Sequence, residues 1–142
     1  MTSLSLCNLL LVDDSEDDIY LLERAFARHP NFRIIGHAED GEVAINYLKG
    51  AGQFADRGQH PYPDLMVLDL KMPGCDGYEV LKWMSGKSPR PRVAVFTASE
   101  LESDKARATE LGADLFQSKS FDVEALDRFI TRLYSLCKPS PM

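Results

Sequence analysis

The sequence predicts a doubly wound α/β sandwich, and three observations carry that expectation. Five short apolar runs alternate with five helical patterns along the chain, which implies right-handed crossovers around a parallel sheet with helices on both faces. Two of the runs, Leu9-Leu10-Leu11-Val12 and Leu65-Met66-Val67-Leu68, are apolar at every position rather than at alternate ones, as strands buried on both faces are. Both runs stop abruptly on acid, the first at Asp13-Asp14 and the second at Asp69. In such sheets ligands bind beyond the carboxyl ends of the strands. Three carboxylates gathered at one edge repel each other unless a cation sits among them. The pattern therefore points to a hard metal ion and, by extension, to phosphate chemistry.

Each element has its own local reason. After Asp14, Ser15 caps a helix with Asp18 three residues later, and Ile19, Leu22, Glu23 and Phe26 follow helical spacing to His29-Pro30. Phe32 to Ala38 reads as the second strand, and Gly41 opens a helix through Val43, Ile45, Tyr47 and Leu48. The third strand runs from Leu65 to Asp69, and a turn from Met72 to Gly77 leads into a helix from Tyr78 to Ser85. That helix packs through Val80, Leu81 and Met84. Val93 to Thr97 is the fourth strand and Ser103 to Leu111 the fourth helix, stopped by Gly112. Asp114 to Gln117 forms the fifth strand, and Val123 to Leu136 the last helix. The connection from Ala51 to Pro63 is long for a compact domain and reads as a tolerated surface insertion. Residues 7–137 form one domain in this reading, and 138–142 an unstructured tail.

Global properties narrow the function classes. The 142 residues are 44% hydrophobic and 27% charged, as soluble domains are. A net charge of -6 speaks against direct nucleic-acid binding, which needs a basic face. No apolar run is long enough to span a membrane, and the first residues lack the basic start of a signal peptide. Cys7, Cys75 and Cys137 are widely spaced without a CxxC pattern, so neither a disulfide framework nor a zinc site is expected, and the cytoplasm is the default compartment.

The other strands place further polar groups at the same edge. The fourth ends at Thr97, and Ser118-Lys119-Ser120 follows the fifth. Asp14 and Asp69 suit direct coordination of Mg2+, with Asp13 acting through a water. Asp69, on the central strand, is placed to attack phosphorus and form an acyl phosphate. Thr97 would donate to one phosphoryl oxygen and Lys119 pair with another. Singly, each has a plainer explanation: Asp14 as a helix cap, Glu16, Asp17 and Asp18 as partners of the helix dipole, Thr97 as a strand residue, Lys119 as a solvated lysine. Joint placement of Asp13, Asp14, Asp69, Thr97 and Lys119 in chain order favours the site.

Leu11-Val12-Asp13-Asp14, Leu68 to Gly77, Phe96-Thr97-Ala98 and Gly112-Ala113-Asp114 with Lys119 together resemble the receiver domains of two-component response regulators, over about Asn8 to Leu136. The resemblance implies a flavodoxin-like five-stranded sheet of order 2-1-3-4-5. It implies that Asp69 accepts a phosphoryl group from a sensor histidine kinase or a phosphotransfer protein, with Mg2+ held by Asp14, Asp69 and the backbone carbonyl of Lys71. It also makes Phe116 the aromatic switch that follows Thr97, and places Lys71 and Ser99 where they tune phosphoryl lifetime. The long insertion is similar to that of small regulators associated with bacteriophytochrome kinases, and in receivers the fifth strand and last helix often form a homodimer face. One departure stands out: the family's proline after the lysine is Ser120 here. A trans Lys119–Ser120 peptide is expected, because a non-proline cis bond costs about 2.5–4 kcal/mol.

Two competing functions remain. A Mg2+-dependent aspartyl-phosphate hydrolase commonly has Asp-x-Asp after its first strand, whereas Asp13 and Asp14 are adjacent. A receiver-like docking module that does not use phosphate would have no need of all five residues. His29, His37 and His60 show no ligand spacing, Cys75 reads as an inert turn cysteine, and Trp83 as helix packing.

Overall fold

The computed structural model describes residues 6–137. The expected tail, 138–142, lies outside the described residues. The chain folds as β1 (Cys7–Val12), α1 (Glu16–Phe26), β2 (Phe32–Ala38), α2 (Gly41–Lys49), β3 (Leu65–Leu68), α3 (Gly77–Met84), β4 (Arg92–Thr97), α4 (Glu102–Glu110), β5 (Leu115–Ser118) and α5 (Val123–Cys137). All pairings are parallel and the sheet order is β2-β1-β3-β4-β5. The expected fold and strand order are both present, with most boundaries shifted by one or two residues and α1 ending at Phe26, short of the expected His29-Pro30.

Alternation along the strands sorts side chains into two cores. Leu10, Val12, Met66, Leu68, Val93 and Val95 point to one face and meet Ala44 and Leu48 of α2, Val80 and Leu81 of α3 and Ala108 of α4. Leu9, Leu11, Leu65, Val67, Ala94 and Phe96 point to the other and meet Ile19 and Leu22 of α1 and Phe129, Ile130 and Leu133 of α5. Continuous apolar runs were thus the signature of double coverage. Side-chain caps start four of the helices: Ser15, Asp40, Asp76 and Asp122 accept the N–H of Asp18, Val43, Glu79 and Ala125.

The connection from Ala51 to Pro63 is folded down rather than merely tolerated. A 3-10 turn covers Gly52–Phe54. Beyond it the Arg57 guanidinium donates to the carbonyls of Tyr47 at 2.8 Å, Leu48 at 2.9 Å and His60 at 3.2 Å. Those first two carbonyls lie in the last turn of α2, where that of Tyr47 also accepts the Gly50 N–H at 3.1 Å, so the arginine serves as a cap borrowed from the loop. The Tyr47 hydroxyl returns a bond to the Pro61 carbonyl at 3.0 Å.

The expectation of unpaired cysteines is corrected at one position. Cys7 and Cys137 form a disulfide, with Cα atoms 6.2 Å apart and a sequence separation of 130. Spacing along the chain could not reveal the pair, because the sheet and α5 bring the first residue of β1 beside the last residue of the final helix. Cys75 remains free.

Candidate functional site

Strand register builds the site before any side chain is considered. Val12 pairs with Leu68 and Leu68 with Val95, so Asp13 and Asp69, each one residue further on, emerge side by side. Their backbones stay in the ladder: the Asp69 N–H donates to the Val12 carbonyl and the Asp13 N–H to that of Ala38, both at 3.0 Å. Thr97 pairs with Ser118, and the Lys119 N–H donates to the Thr97 carbonyl at 2.7 Å. That register delivers Lys119 to the edge at which Asp13 and Asp69 already stand.

Asp13, Asp14 and Asp69 each present a carboxylate oxygen, all within 4.8 Å of one another. Asp13 and Asp69 are buried, at 4% and 6% exposure, while Asp14 is open to solvent. The Lys119 ammonium, whose side chain is 12% exposed, lies 2.9 Å from Asp13 Oδ2, 2.6 Å from Asp18 Oδ2 and 3.1 Å from Asp69 Oδ2. Burial works against its charge, yet the bonds to Asp13 and Asp18 and the charge of Asp69 together hold its pKa above the ordinary lysine value. Burial raises the Asp13 pKa, although Lys119 and the Ser15 N–H, which donates to Asp13 Oδ1 at 2.9 Å, oppose the rise. One ammonium thus faces three carboxylates, and Asp14 adds a fourth beside Asp13 and Asp69. The unbalanced negative charge on hard oxygen donors fits a small divalent cation such as Mg2+.

Of the other sequence candidates, Thr97 is buried at the end of β4. The Lys71 N–H lies 3.5 Å from Asp69 Oδ1 and its side chain is exposed. Phe116 is half-buried opposite Val95 and borders a hollow of about 200 Å³ with Leu101 and Lys105 of the α4 region. Ser99 directs its hydroxyl to Asp104 Oδ2 at 2.5 Å, and Asp104 Oδ1 accepts the Tyr78 hydroxyl at 2.5 Å. The Lys119–Ser120 peptide is trans, as expected.

Sequence reasoning missed two participants. In sequence Asp18 reads only as part of the helix start, with Ser15 and the helix dipole, but its carboxylate crosses to Lys119, 101 residues away. The available hint was its place one turn beyond Asp14, on the same side of the helix start. Asp104 had no signature in sequence, since Tyr78 reaches it only through the fold, although Ser99 stands five residues before it.

Comparison with known proteins follows the same lines. The family model of the response regulator receiver domain matches residues 9–131. The response regulator GtcR of Aneurinibacillus migulanus is 36% identical over 125 residues, covering 87% of this chain and 47% of GtcR. The chain spans about half the length of the curated relatives it matches. Among solved structures, the phosphorylated cyanobacterial phytochrome response regulator RcpA is 26% identical with a TM-score of 0.80, covering 97% of this chain and 98% of RcpA. The Mn2+-bound response regulator Rcp1 is 27% identical with a TM-score of 0.78, covering 96% and 98%.

Proposed function

The chain belongs to the receiver domain family of response regulators, and from that premise we propose that Asp69 is its phosphoacceptor. The observation that carries the proposal is the Lys119 ammonium set against Asp69 and Asp13, where the oxygens of Asp13, Asp14 and Asp69 converge. In the step proposed, Asp69 Oδ attacks the phosphorus of a phosphohistidine on a sensor histidine kinase or phosphotransfer protein. The new O–P bond forms as the N–P bond breaks, and the departing imidazole nitrogen keeps the bonding pair. Asp13, Asp14, Asp69 and the Lys71 carbonyl would hold Mg2+, which when bound offsets charge on the phosphoryl oxygens. Lys119 pairs with one of those oxygens and the Thr97 hydroxyl donates to another. Phe116 responds to the inward pull on Thr97. Lys71 and Ser99 tune phosphoryl lifetime, Ser99 through the loop position that its bond to Asp104 sets.

The domain so read signals by protein contact, with β5 and α5 as a homodimer face, and is not a turnover enzyme. Its kinase would be of the phytochrome type, a reading supported by the likeness to RcpA over nearly the whole chain. No described helix is long and apolar enough to cross a membrane, and action in the cytoplasm is part of the proposal. In a reducing cytoplasm Cys7 and Cys137 would stand as neighbouring thiols.

Incubation with Mg2+ and acetyl phosphate tests the core of this reading. A phosphate adduct should form at Asp69 and be absent from Asp69→Asn, which should also lose phosphotransfer from a purified kinase. No adduct on the wild-type protein would leave the docking-module alternative, and rapid multiple turnover of small phosphate esters would favour the hydrolase.

A further inference from the structure

We infer that Asp18 is a positioning residue, the anchor that keeps Lys119 at the site once a cation has claimed its other partners. The inference rests on the phosphoacceptor reading and deepens it. An ammonium has three donors, and three carboxylates take them here: Asp13, Asp18 and Asp69, at 2.9, 2.6 and 3.1 Å. Two of the three, Asp13 and Asp69, belong to the acid group suited to a divalent ion. A metal among those oxygens draws on the electron pairs that hold Lys119. Asp18 stands outside that group and makes the shortest of the three contacts.

The backbone around Asp18 is built for the task. Ser15 Oγ accepts the Asp18 N–H at 3.2 Å, while the Ser15 N–H donates to Asp13 Oδ1 at 2.9 Å. One serine thus ties the start of α1 to Asp13 and aims the first helical turn at the site. On the other side, Lys119 is followed by a trans peptide and Ser120. Proline's fixed φ is absent there, so the chain after Lys119 is less constrained than a proline would make it. A carboxylate contact from α1 supplies the missing restraint. Asp17, one residue earlier in the same turn, carries the same charge toward the helix dipole and has no contact with Lys119.

Two measurements on Asp18→Ala, Asp18→Asn, Asp18→Glu and Asp17→Ala test this. The first follows the Lys119 side-chain resonance while Mg2+ alone is added. In the wild type and Asp17→Ala it should stay sharp and keep its shift. In Asp18→Ala it should broaden or move toward that of a solvated lysine as metal loads. The second is beryllofluoride affinity at saturating Mg2+, expected to fall about tenfold in Asp18→Ala, the loss of one charge-assisted hydrogen bond. Asp18→Asn should fall by less, and Asp18→Glu should recover most of the loss. An unmoved Lys119 resonance in Asp18→Ala, or beryllofluoride affinity equal to or tighter than wild type, would overturn the inference. Failure of the wild type to bind beryllofluoride would instead overturn the phosphoacceptor reading, and the Mg2+ titration would still judge Asp18 by itself.

Discussion

Replacing Gly77 with alanine should destabilise the domain and disturb Asp69 in the same stroke. Gly77 is the first residue of α3, and its N–H donates to the Leu70 carbonyl at 3.0 Å, closing the turn after β3. Its φ is not positive, so alanine needs no strained backbone, and the stiffer unfolded chain would favour the variant by about 0.4–1 kcal/mol. Space decides the other way. A Cβ built on Gly77 collides with the Asp69 carbonyl oxygen and falls 2.8 Å from Leu70 Cα, where ordinary contact begins at 3.4 Å. Main-chain atoms of Asp69 and Leu70 must therefore shift, and no side-chain rotation can relieve the overlap. Overpacking of this kind costs about 1–3 kcal/mol. The net loss should be about 1–2 kcal/mol, a fall in Tm of roughly 2–8 °C for a domain near this size. Thermal unfolding by circular dichroism measures the first effect and calorimetric Mg2+ affinity the second. Gly74→Ala serves as the control. Gly74 has φ +72° with nothing within 4 Å of an added Cβ, so its cost of about 1 kcal/mol is conformational and leaves Asp69 in place. A Gly77→Ala protein with unchanged or raised Tm, or one that binds Mg2+ as the wild type does, would refute the reasoning.

Two further outcomes are expected. Arg57→Ala removes a charged donor from three carbonyls and should cost about 2–3 kcal/mol by urea unfolding. Arg57→Lys should recover little, because the planar fork is lost, and a loss below about 0.5 kcal/mol in Arg57→Ala would contradict the capping role. In the Tyr78–Asp104–Ser99 network, hydrogen bonds from Ser99 and then Tyr78 hold the Asp104 carboxyl below its usual 3.8. Its folded pKa is depressed, so its stabilisation is present above pH 3.8 and is lost as pH falls through the lower folded value. Burial and the bond to Asp104 push the Tyr78 phenol up to about 12, so that its contribution is complete below pH 10.0 and erodes as pH rises toward 12. Burial also raises Tyr47 and Tyr62, so spectrophotometric titration should show Tyr78 ionising last, a step that Tyr78→Phe removes, and an unaltered titration curve would sink this assignment.

The fold was legible because its determinants are local. Two-sided burial demands unbroken apolar runs, and Leu9–Val12 and Leu65–Leu68 show them directly. The first helix start announces itself through Ser15, and a parallel sheet allows few ways to connect what the apolar runs delimit. Most of the candidate site was legible for the same reason, since Thr97 ends a strand, Asp13, Asp69 and Lys119 each follow one, and register does the rest. Three features were decided only by tertiary structure. Asp18 looked like any acid in a first helical turn until the fold set Lys119 beside it. Arg57 looked like a loop arginine until the insertion folded back onto the last carbonyls of α2. Cys7 and Cys137, at opposite ends of the described chain, became neighbours only when α5 packed against β1. In each case the partner lies in another segment, and the choice among the many available cations, carbonyls and thiols is made by distance in space. Sequence alone determined which strand ends carry acid; the packed sheet decided which cation those acids share.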